Sequence, residues 1–132
     1  MYVKTKEAGE VLILEPHGNL YLGKPQTIFE KAVQDVLDDG RKKVVVNLKH
    51  VPSIDSNGLA SIIKCCYKRA KDRGALARFV IRRSSPLPLH VRTCIGLVFD
   101  VHEDEIKAVG AFTRQARAAR QGTAGRSRVY DA

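Results

Sequence analysis

Tryptophan is absent, aromatic residues make up 6% of the chain, and there is one methionine. So few rings leave little for successive nucleobases to stack on, which disfavours a single-strand binding surface. The three cysteines, Cys65, Cys66 and Cys94, are odd in number and show no Cys-x-x-Cys spacing, in agreement with a reducing compartment. Cys66 falls on the apolar face of an expected helix and reads as a small core residue, not a ligand. The histidines His17, His50, His90 and His102 are scattered without a His-x-x-x-His pair, so no metal site is expected. No stretch approaches the ~20 apolar residues that span a bilayer. The start, Met1-Tyr2-Val3-Lys4-Thr5-Lys6, carries no apolar signal-peptide core. A cytoplasmic protein is the expectation. Also missing are a Gly-x-Ser-x-Gly elbow and a Gly-x-x-x-x-Gly-Lys phosphate loop, so the chain does not read as an enzyme and no cofactor is expected.

What is present fits one domain. The 132 residues are 44% hydrophobic, enough to bury about two thirds of the surface the unfolded chain exposes. The formal charge of +9 is unevenly placed. Basic clusters occur at Arg41-Lys42-Lys43, from Lys64 to Arg73 and from Arg78 to Arg92. From Thr113 onward Arg114, Arg117, Arg120, Arg126 and Arg128 face Asp131 alone. Such a surplus favours acidic partners, nucleic acid or anionic lipid, or simply keeps a protein soluble.

Hydrophobic periodicity sets out the elements. Two strands, about Tyr2 to Lys6 and Val11 to Pro16, form a hairpin about the turn Glu7-Ala8-Gly9-Glu10. Val11-Leu12-Ile13-Leu14 is continuously apolar, as in a strand covered on both faces, and Pro16 marks its end or an edge bulge. Pro25 suits a first helical turn, and Ile28, Phe29, Ala32, Val33, Val36 and Leu37 recur at helical spacing up to Gly40. Val44 to Leu48 reads as a central strand. From Ser56 the set Leu59, Ile62, Ile63, Cys66 and Ala70 makes one helical stripe that Gly74 ends. A strand at Leu76 to Ile81, a short helix at Pro86 to Thr93, a last strand at Leu97 to Val101 and a helix from Glu103 to about Ala118 follow. Pro88 is tolerable only in the first turn of its helix. The order β-β-α-β-α-β-α-β-α gives an α/β sandwich with a mixed four- to five-stranded sheet and helices packed mainly on one face. Residues 1–118 form the domain, and 119–132, without periodicity, read as a flexible Arg-rich tail.

The most informative segment is Asp55-Ser56-Asn57-Gly58-Leu59, which turns from a buried strand and a short loop into a helix. It sets the Ser56 hydroxyl at a first helical turn, where free backbone N–H groups and the positive dipole end favour a phosphate. Asp and Ser are also among the commonest N-caps, so one of them capping the helix is the plain alternative. Gly58 serves close packing equally well, and Leu59 ordinary core. The segment resembles the signature of the STAS family of anti-sigma factor antagonists, in which Asp-Ser-Ser/Thr-Gly-Leu opens the second helix. The spacing of Leu48, Val51 and Ile54, Gly18-Asn19-Leu20 after the second strand, and Ser85-Pro86 followed by Cys94, Gly96-Leu97 and Phe99 extend the likeness over roughly residues 8 to 112.

The resemblance implies a fold and a role. By position, Ser56 matches the family's phosphoacceptor, with Asp55, Asn57, Gly58 and Leu59 around it; Asn57 stands where many members have a second hydroxyl. Tyr21 lies near where the family often has an acidic residue, which leaves the acidic part to Asp55. The implied partner is an anti-sigma factor with a kinase-like ATPase fold, sequestered while Ser56 is unphosphorylated, with a phosphatase as a further partner. Within the family, a subunit of a membrane transport or sensory complex is the alternative. From another class the rival is a basic nucleic-acid-binding module, which lacks a helix-turn-helix or RNA-binding signature here. Arg114, Arg117 and Arg120 recur every three residues and could touch an anionic membrane, though solvated charge accounts for them as well.

Overall fold

The computed structural model describes residues 1–116 and 128–131. Its elements run β1 (Tyr2–Ala8), β2 (Val11–His17), α1 (Lys24–Asp38), β3 (Lys43–Asn47), α2 (Ser56–Ile62), a π-helical stretch (Ile63–Arg69), α3 (Ala70–Asp72), β4 (Leu76–Val80), α4 (Leu89–Val98), β5 (Val101–His102), α5 (Glu105–Ala116) and β6 (Arg128–Asp131). The strands lie in one sheet in the order β5-β4-β3-β2-β1-β6. β1 is antiparallel to β2, whereas β2, β3, β4 and β5 run parallel, so the sheet is mixed as expected.

Alternation explains why the central strands are apolar throughout. Leu12, Leu14, Val44, Val46, Ala77 and Phe79 point to the face covered by α1, α2, the π-helical stretch and α4. Val11, Ile13, Val45 and Val80 point to the other face, where Ala108 and Phe112 of α5 cover them. Among the described residues most helices therefore share one face and α5 takes the second. Arg78 is buried on that second face with its guanidinium 4.7 Å from the Phe112 ring centroid.

The differences from the sequence expectation have physical causes. The run Ile95-Gly96-Leu97-Val98-Phe99 is apolar enough for strand or helix; it finishes α4, with Leu97 81% exposed, and the strand shrinks to Val101–His102. Pro88 occupies the N-cap of α4, where its missing N–H costs nothing. Pro16 sits inside β2, beyond Leu14, the last β2 residue in register with β3, so its missing donor interrupts no ladder on that side. Within the stretch 119–132, Arg128–Asp131 pair antiparallel with β1 from Tyr2↔Asp131 to Thr5↔Arg128. Residues 119–127 and 132 lie outside the described residues, as do Arg117 and Ala118 at the end of the expected last helix.

Candidate functional site

The strand-loop-helix turn is built from backbone contacts between two loops. Leu20 and Ile54 form an isolated parallel bridge, with Leu20 N–H donating to Ser53 O at 3.0 Å and Asp55 N–H to Leu20 O at 3.2 Å. Asp55 is the N-cap: its Oδ1 accepts from Gly58 N–H at 2.7 Å and its Oδ2 from Leu22 N–H at 3.0 Å. The Gly58 amide first, and then the Leu22 amide, hold the Asp55 carboxyl below the usual carboxylate range. The plain alternative for this residue pair is thus resolved in favour of Asp55, which leaves the serine free of capping duty.

Gly58 is fixed by space. A Cβ there would lie 2.2 Å from the Leu20 carbonyl oxygen and 2.9 Å from Leu20 Cγ, so only glycine lets the helix start approach the 18–22 loop this closely. Ser56 and Asn57 are exposed, and no described residue holds the Ser56 hydroxyl. Leu59 is half-buried and packs on the main core. Tyr21, 39% exposed, and Leu22, 64% exposed, stand on the loop that Asp55 binds. The structure thus brings all the sequence-derived site residues into one rim. It also corrects one premise: the Gly58 amide, expected to be free for a phosphate, is already taken by the Asp55 carboxylate.

Sequence reasoning missed the buried anchor behind this rim. Ser61 Oγ, on the next turn of α2, donates to Glu30 Oε2 of α1 at 2.6 Å and accepts from Gln26 Nε2 at 2.7 Å, and Lys64 Nζ lies 3.2 Å from Glu30. Burial pushes the Glu30 carboxyl up, but hydrogen bonds from Ser61, Lys64 and Gln26 and the Lys64 charge outweigh it and leave it below the usual range. Polar residues at the helical spacing of Gln26 and Glu30 are the available signal, but their partner lies on another helix.

Two other sequence expectations meet the structure here. Cys66 is buried, and burial raises its thiol pKa well above the ordinary value, as fits a packing residue. Histidines scattered in sequence are not all scattered in space: His17 and His50 stack with ring centroids 4.2 Å apart, and Glu15 Oε1 lies 3.2 Å from His17 Nε2. Much of the basic surface is paired. Arg41 meets Glu7, Lys43 meets Glu10 at 2.7 Å, Arg73 meets Asp38 at 2.7 Å and Arg78 meets Asp100 at 2.6 Å. Among the described residues no helix is long and apolar enough to cross a membrane.

Comparison with known proteins bears on the fold. No curated protein sequence matches the chain. Among solved structures, a Thermotoga maritima protein described as a candidate anti-sigma factor antagonist superposes with a TM-score of 0.69 at 24% identity, over 81% of this chain and 91% of that one. An anti-sigma factor antagonist from Mycobacterium paratuberculosis gives 0.62 at 16% identity over 84% and 93% of the two chains. SpoIIAA, an anti-sigma factor antagonist in its unphosphorylated form, gives 0.58 at 14% identity over 82% and 93%. At these identities the likeness concerns the fold alone. The STAS domain model matches residues 2–101, three quarters of the sequence. The chain belongs to the STAS domain family.

Proposed function

We propose that this protein is a phosphorylation-switched docking module, with Ser56 as the phosphoacceptor and an anti-sigma factor of kinase-like ATPase fold as its partner. The observation that carries the reading is the Ser56 hydroxyl itself: exposed, held by no described residue and placed directly after a capping aspartate that already fixes the helix start. The fold has no use for this hydroxyl, so modifying it leaves the fold intact.

What modification changes is the outer surface. A phosphate adds about −1.5 to −2 charges, next to the Asp55 carboxylate and beside the exposed side chains of Tyr21 and Leu22. Because Asp55 occupies the Gly58 amide, fewer first-turn donors are left to neutralise the dianion, and at the exposed Ser56 it lies on the outer surface. A partner covering Tyr21, Leu22, Asn57 and Leu59 would then have to bury an unpaired charge, at a penalty of several kcal/mol. The unmodified protein binds and the modified one lets go. A binding role fits better than nucleic-acid contact, because the main basic clusters contribute Arg41, Lys43, Lys64, Arg73 and Arg78 to ion pairs within the protein.

The test is phosphosite mapping after incubation with ATP and candidate anti-sigma factors of kinase-like fold from the native cell, alongside pull-downs with wild type, Ser56→Ala and Ser56→Asp. Phosphate on Ser56, constitutive binding by Ser56→Ala and weak binding by Ser56→Asp are expected. Phosphate on another residue, or equal binding by both variants, contradicts the reading.

A further inference from the structure

We propose that Glu15, His17 and His50 form a binding site for a divalent transition-metal ion of the zinc type. Glu15 and His17 alternate on β2 and so project from the same face of the sheet. His50 arrives from the loop after β3, and Gly18 N–H donates to His50 O at 3.0 Å, which ties that loop to the end of β2. Tyr2 lies opposite His17 in the β1–β2 register, and its ring stacks on the imidazole at 4.5 Å with planes 9° apart. The His50 ring covers the other side of His17 at 4.2 Å and 13°. The stack on Tyr2, a residue of the same sheet, orients His17 while its Nε2 meets Glu15 Oε1 at 3.2 Å.

One donor atom from each of the three residues lies within 4.8 Å of the others. Zinc bonded to nitrogen and oxygen at about 2.0–2.2 Å places tetrahedral neighbours about 3.3 Å apart, so closure requires a shift of at most about 1.5 Å. The stacked rings, with planes 13° apart, do not aim their in-plane lone pairs at one point, so closure also requires the exposed, loop-borne His50 ring to leave the stack and turn its nitrogen towards His17 and Glu15. Lys49 Nζ, 4.0 Å from Glu15 Oε2 and itself exposed, swings away when a cation arrives. Two imidazoles and one carboxylate select zinc, nickel or copper over magnesium or calcium, whose sites are built from oxygen. Three protein ligands leave a fourth position for water or a partner's side chain. The site does not depend on the phosphorylation reading, since it shares no residue with the Ser56 rim.

The test uses the full chain stripped of metal and titrated with Zn²⁺ against a chromophoric zinc indicator, with Mg²⁺ and Ca²⁺ in parallel. One equivalent of Zn²⁺ should bind, with neither hard cation competing. His50→Ala and Glu15→Gln should each weaken binding by at least about tenfold, whereas His90→Ala and Cys94→Ser should leave it unchanged. Zinc should also shift the His17 and His50 ring resonances in the NMR spectrum and leave those of His90 in place. No stoichiometric binding, binding indifferent to His50→Ala, or binding lost in Cys94→Ser would overturn the proposal.

Discussion

Ser56 and Ser61 stand on the same helix and could hardly be placed more differently. Ser61 is buried and locked between Glu30 and Gln26, fastening α2 to α1. Ser56 is exposed, and no described residue bonds its hydroxyl. A hydroxyl that stabilises the protein cannot also be a switch, because adding a phosphate to Ser61 would require the helix pair to come apart. On the proposed reading the helix separates two tasks: one part of the short segment is anchored to α1 through Ser61, and its start presents an exposed hydroxyl. Asp55 and Gly58 belong with Ser61 in this division, and Asn57 with Ser56.

Substitutions can break that contrast or sharpen it. The largest effect is expected for Gly58→Ala, whose Cβ would collide with the Leu20 carbonyl; a loss of about 3 kcal/mol in a denaturant titration follows from overpacking. Ser61→Ala leaves Glu30 and Gln26 short of a partner and should cost about 1–2 kcal/mol by the same measurement. Asp55→Ala removes the cap and the tie to Leu22, and Tm should fall by roughly 5 °C. Ser56→Ala should change stability by less than about 0.5 kcal/mol. A Ser56→Ala cost equal to that of Ser61→Ala would erase the distinction on which the functional reading stands.

Acid sharpens it in another way. The Asp55 and Glu30 carboxyls both lie below their ordinary values in the folded protein. The unfolded chain takes up these protons first, so the contribution of both groups is complete above the ordinary carboxylate range and is lost as pH falls through their depressed values. Stability of the wild type should therefore decline with acidification in that window. Ser61→Ala, which removes one of the bonds that depresses Glu30, should show a shallower decline, and Ser56→Ala the same decline as wild type.

How much of this was legible in the sequence depends on whether a feature was local. The apolar run of Val11 to Leu14 announced a strand covered on both faces, and the spacing of Phe29, Ala32, Val33, Val36 and Leu37 announced α1. The turn at Asp55 to Leu59 was readable because cap, glycine and apolar stripe all fall within a few residues. Features assembled across long separations were not. Glu30 and Ser61 meet between two helices, His17 and His50 meet between a strand end and a loop, and nothing in the spacing of either pair announces the contact. The α4–β5 boundary failed for another reason: Ile95 to Phe99 satisfies helix and strand patterns alike, and Leu97, which the sequence placed in a strand, ends up exposed on a helix. The capping question could be posed from sequence but answered only by the hydrogen bonds of Asp55.

The most direct test of the central claim is the affinity of the anti-sigma partner for unmodified protein and for protein phosphorylated on Ser56, measured side by side by calorimetry. The account predicts at least a loss of about a hundredfold on phosphorylation, with the circular dichroism spectrum unchanged. Equal affinities for the two forms would contradict it.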